Sequence, residues 1–107
     1  MFHIHSHDDL IKFYANLNGE FITSTMLIGE CGELITAITD SFRNDRNSDN
    51  RKIRNREDII SEIVDVFITL NTYCTAHNIT EDELNANFYK RIVPRYENAR
   101  NLAGEAV

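Results

Sequence analysis

Glu30-x-x-Glu33 and Glu62-x-x-Asp65 set two pairs of carboxylates inside strongly apolar stretches of the chain. Leu27, Ile28, Cys31, Leu34, Ile35 and Ile38 surround the first pair, and Ile59, Ile60, Ile63, Val64, Val66, Phe67 and Ile68 surround the second. On a helix, residues three apart lie about 60° apart around the axis, so each pair shares a face. The second stretch is apolar nearly all round, which predicts that Glu62 and Asp65 point inward with little water to face. Four anions gathered there repel one another and lose hydration, and they take up protons unless a cation sits among them. A hard divalent ion answers that problem: Mg²⁺ takes oxygen ligands and keeps waters or substrate phosphates in its remaining positions.

Periodicity predicts an all-α chain of four helical segments with no strand. The first runs from about Asp8 to Leu17, with Ser6 as cap and a stripe of Leu10, Phe13, Tyr14 and Leu17, and Asn18-Gly19 ends it. The second covers about Glu20 to Phe42 and the third about Arg56 to His77, with Asn55 as N-cap. Each of these two is long enough to span about 30 Å, the length of a small bundle. The fourth starts after Thr80, whose spacing to Glu83 is that of a capping box, and Pro94 predicts a kink or break near Ile92 or Val93. Between the second and third segments, the stretch Arg43 to Arg56 holds five arginines and one lysine with Ile53 its sole apolar residue. It reads as a solvated, mobile connection, and its guanidinium groups also suit it to guide a polyphosphate.

The acid pairs resemble the ExxE and ExxD motifs of the MazG-like, all-α nucleoside triphosphate pyrophosphohydrolases. The residues that carry the likeness are Glu30-Cys31-Gly32-Glu33-Leu34 and Glu62-Ile63-Val64-Asp65-Val66, in the family's order with 28 residues between Glu33 and Glu62, and it extends from about Phe21 to Arg100. The resemblance implies a four-helix MazG-like bundle completed by oligomerisation as a homo-dimer or homo-tetramer. It also implies Mg²⁺ held by Glu30, Glu33, Glu62 and Asp65, and hydrolysis of a nucleoside triphosphate to a monophosphate and pyrophosphate. Where the family carries a Lys, an Asn and a basic residue for substrate phosphates and base, this chain has Lys90, Arg91, Arg95 and Asn98. Gly29 and Ser61 stand where many members double the first acid, and Arg95 stands where the family has Asn. Those departures keep open a second reading, a helical interaction module that retains the fold without turnover. A ferritin-like di-iron protein needs Glu-x-x-His motifs, and the chain has none.

Composition narrows the rest. A chain of 107 residues supports one domain, spanning 1–107, since a chain of this size buries about 65% of its unfolded surface. Its net charge of −6 argues against general nucleic-acid binding. Cys31 and Cys74 lie in apolar helical stretches without metal-ligand spacing and read as buried thiols of a reducing, cytoplasmic compartment. The start lacks a signal peptide's basic and apolar regions, and no stretch approaches the roughly 20 apolar residues of a membrane span. His3, His5 and His7 read as part of a frayed terminus, His77 as a helix end, and Phe13 and Tyr14 as core residues.

Overall fold

The computed structural model describes residues 2–42 and 55–104, so the basic connection at 43–54 lies outside the described residues. Three helices make up the described chain: α1 (Asp9–Ser41), α2 (Arg56–Ala76) and α3 (Glu81–Leu102). The all-α class follows, with no strand among the described residues.

The break expected at Asn18-Gly19 is a kink inside α1. Gly19 has φ 70° and ψ −175°, a conformation open in practice to glycine alone, and helix resumes at once on its far side. The first two predicted segments are thus the arms of one kinked element. Nothing lies within 4 Å of where a Cβ at Gly19 would stand, so Gly19→Ala meets no clash. Its cost is backbone strain, about 1–3 kcal/mol, and a urea titration is expected to show the midpoint falling accordingly.

Asp8, and not Ser6, caps α1, its carboxylate accepting from the amides of Leu10 at 2.9 Å and Ile11 at 3.3 Å. Ser6 lies too far upstream to reach those groups. Asn55 caps α2 as expected and forms a reciprocal box with Asp58. Thr80 caps α3, accepting from the Glu83 amide at 3.2 Å. α3 runs through Pro94 without a break, the ring deleting one amide while the helix continues on both sides.

The chain forms two compact units. One comprises residues 5–42 with 55–78, which is α1 and α2; the other comprises residues 2–4 with 79–104, which is α3 and the N-terminal segment. In the first unit the helices run antiparallel: Ser24 meets His77 at one level, and Glu30 meets Glu62 and Asp65 at another. Apart from Ile11, its buried side chains are small or polar: Ala15, Thr23, Ala37, Thr69, Asn71, Thr72 and Cys74. The hydroxyls of Thr23, Thr69 and Thr72 donate to carbonyls one turn back in their own helices, so burying them leaves no hydroxyl unsatisfied. Small residues on the inner face leave the large ones outside. Phe13 and Tyr14, expected in the core, are exposed, their rings edge to face at 5.5 Å. Phe21 (80% exposed), Ile28 (72%), Ile35 (65%) and Phe42 (83%) recur every seventh residue along α1 and its C-cap.

In the second unit the N-terminal segment is pinned, not frayed. The Phe2 amide donates to Asn85 Oδ1 at 2.8 Å, the Ile4 amide to Glu81 Oε1 at 2.6 Å, and His3 Nδ1 stands 2.9 Å from the same carboxylate oxygen. Ile4 is buried. The partners that hold this segment lie about eighty residues away in sequence, beyond any local pattern.

α1 and α2 are each long and apolar enough to cross a membrane, by length and composition alone. This corrects the expectation that no stretch nears a span: the acids interrupt the apolar runs without making either helix polar overall.

Candidate metal centre

α1 presents Glu30 and Glu33, and α2 presents Glu62 and Asp65, at the same level of the antiparallel pair. One carboxylate oxygen each from Glu30, Glu62 and Asp65 lies within 4.8 Å of the others. Glu33 is within hydrogen-bonding reach of Glu30 but outside that three-oxygen set. All four acids singled out in the sequence are therefore brought together, three as a compact set of oxygens and the fourth beside them.

Burial differs among the four. Glu30 and Glu62 are half-buried, whereas Glu33 and Asp65 are exposed, which corrects the expectation that Asp65 faces inward away from water. A two-helix pair cannot wrap α2 on every side, and Asp65 lies where no third helix of this unit covers it. Glu30 Oε2 is shielded from solvent and has no hydrogen-bond partner. Burial, then the neighbouring Glu33 charge and its shared hydrogen bond, then Asp65 and Glu62, raise the Glu30 carboxyl above its ordinary range. A shielded carboxylate oxygen facing three other acids is a site that favours a proton or a cation.

The donor set suits Mg²⁺. All the ligands on offer are hard carboxylate oxygens, the donor type this ion takes, and three of them lie within 4.8 Å of one another.

Set against family models, curated proteins and solved structures, the chain finds no match. The reading of this centre therefore stands on its own residues.

The other predicted site residues, Lys90, Arg91, Arg95 and Asn98, all lie on α3 and are exposed. Arg91 and Arg95 line one cavity, whereas Lys90 and Asn98 do not line it. Arg100 sits over the Tyr96 ring at 5.6 Å. The amide in that cavity comes from Asn87, and an aromatic wall comes from Phe2. Sequence reasoning passed over both. The spacing of Asn87, Arg91 and Arg95, four residues each, was the available signal for the first; nothing local signalled Phe2. His77 caps α2 as expected, and its Nε2 donates to the Glu20 carbonyl at 3.2 Å and lies 3.3 Å from Ser24 Oγ, with its ring stacked on Tyr73 at 4.0 Å. Cys31 is half-buried, contrary to expectation, because it lies on the flank of α1. Cys74 is buried, and that burial pushes its thiol up, away from reactivity.

Proposed function

We propose that the chain is a Mg²⁺-dependent nucleoside triphosphate pyrophosphohydrolase of the MazG-like kind, acting in the cytoplasm as a homo-dimer or homo-tetramer. The observation that carries this reading is the convergence of the Glu30, Glu62 and Asp65 oxygens within 4.8 Å, with Glu30 Oε2 buried and unpartnered. When bound, Mg²⁺ would offset the charge that builds on phosphate oxygens as the anhydride breaks.

The chain's own residues divide the remaining work. Glu30, Glu62 and Asp65 would hold the ion. Glu33, exposed and outside the three-oxygen set, orients the attacking water and accepts its proton. The water oxygen bonds to phosphorus, the α–β anhydride bond breaks, and pyrophosphate leaves with the bridging oxygen.

The oligomer is supported by the exposed apolar face of the first unit. A stripe such as Phe21, Ile28, Ile35 and Phe42, left in water, exceeds what small monomers ordinarily show, and packing it on a second copy makes up the four-helix bundle that one chain lacks.

The test is pyrophosphate release from each common ribo- and deoxyribonucleoside triphosphate, with Mg²⁺ and with EDTA. Release that needs Mg²⁺ supports the proposal. No release from a chain that binds Mg²⁺ and assembles would favour the interaction module that keeps the fold without turnover.

Mg²⁺ is also expected to raise the melting temperature, because the assembled acids bind it and the unfolded chain does not. The effect has a defined pH sense. Glu30 is raised in the folded chain, so the metal-free protein holds more protons than its unfolded form and loses stability as pH rises from the ordinary carboxylate range through the raised value. The shift by millimolar Mg²⁺ should therefore grow as pH rises from the ordinary carboxylate range through the raised value. A melting temperature that does not respond to Mg²⁺ at any pH would exclude a preformed centre.

A further inference from the structure

Within the second unit, the pinned N-terminal segment and α3 enclose an open cavity of about 270 Å³. One wall is apolar: Phe2 and Phe88, whose rings meet edge to face at 5.5 Å, with Ile92 beside them. The other is polar, with the guanidinium groups of Arg91 and Arg95 and the amide of Asn87. These three polar residues are spaced by four along α3, so they stack on one face.

Neither Arg91 nor Arg95 makes an ion pair among the described residues. Two like charges one turn apart repel each other, and an anion bridging them removes that cost while gaining charge-assisted hydrogen bonds from planar forks. The apolar wall asks something different of the same ligand, a ring to lie against Phe2 and Phe88. Its size sets the scale. Pockets for drug-sized molecules run from about 300 to 1,000 Å³, so a cavity of 270 Å³ suits a single ring bearing one anionic group.

The cavity is built. Phe2 is the residue that completes the apolar wall, and its position is fixed by the hydrogen bond from its amide to Asn85, with the next two residues, His3 and Ile4, anchored on Glu81. We infer that this cavity is a binding site for a small aromatic anion, a phosphate or carboxylate carried on a planar ring, separate from the acids of α1 and α2. Arg91 and Arg95 take the anionic group, Asn87 takes a remaining oxygen, and the ring lies between Phe2 and Ile92. The inference does not rest on the hydrolase reading, because its residues all belong to the second unit.

The experiment is calorimetric titration of the full chain with phenyl phosphate in EDTA, which removes any contribution from a metal at the acids. Saturable binding is expected, with benzoate also binding and inorganic phosphate at least about tenfold weaker for want of the ring contacts. Arg91→Gln and Arg95→Gln should each weaken phenyl phosphate by about tenfold, as loss of a charge-assisted contact does, and Phe2→Ala should bring it down to the level of inorganic phosphate. Lys12→Gln, on α1 and not lining the cavity, should leave binding unchanged. All four substitutions fall on exposed positions, so folding is not at stake, and circular dichroism checks that. Absence of saturable binding overturns the inference. So does equal binding of phenyl phosphate and inorganic phosphate, or binding that survives the double variant of Arg91 and Arg95.

Discussion

Asp65→Asn and Glu62→Gln are each expected to lower pyrophosphate release by at least about a hundredfold, the scale on which losing a group that stabilises transition-state charge is felt. Both carboxylates belong to the set whose oxygens lie within 4.8 Å, and both amide replacements keep the shape of the side chain. The folded metal-free chain should not suffer. Removing one of several converging negative charges relieves repulsion, and Glu30 in particular should then fall back toward its ordinary range. Both variants should also lose most of the Mg²⁺-dependent rise in melting temperature. Glu33→Gln separates the roles: it should lose turnover while retaining that rise, since Glu33 lies outside the three-oxygen set. Wild-type turnover in Asp65→Asn would sink the proposed centre.

Replacing Ile28 and Ile35 together by Asp is expected to abolish the cooperative melt altogether. Neither residue is buried within one chain, at 72% and 65% exposed, so a monomer would barely register the change. In an assembled bundle each would sit in an interface, where losing a large aliphatic side chain costs about 2–5 kcal/mol and burying a carboxylate adds to it. The sum approaches the whole stability of a small domain, about 5–15 kcal/mol. Sedimentation of the wild type should give a dimer or tetramer, and the double variant should run as an unfolded monomer. A folded, monomeric double variant would show that this face packs against nothing.

The parts of the fold that one helix decides for itself were legible in the sequence. Asn55 and Thr80 announced where α2 and α3 begin, because capping is a contact over three residues, and Asn18-Gly19 announced the interruption at Gly19, though as the end of a helix and not a kink within one. The acids were legible for a related reason: their three-residue spacing within apolar helices leaves few places to put them. What the sequence concealed depends on partners far along the chain. Ile4 buries itself and its amide finds Glu81, so an N-terminus that looks frayed is fastened. Phe13 and Tyr14 look like core because aromatic stripes usually are, yet the inner face of α1 is built from Ile11, Ala15, Thr23 and Ala37. A periodic pattern says that a helix has an apolar face. It does not say which of two such faces the chain covers itself.

The threonines of the inner face settle their hydroxyls on their own helices, so they do nothing to hold α1 and α2 at a particular height against each other. His77 does: it ties the end of α2 to Glu20 and Ser24 on α1. Sliding one helix past the other by a single turn is a displacement of about 5.4 Å, greater than the whole 4.8 Å span of the three converging oxygens. An error of one turn would therefore leave a pair of well-packed helices whose acids no longer face a common point. Alignment along the axis, to which a histidine well removed from the carboxylates contributes, is thus as much a condition of the centre as the carboxylates themselves.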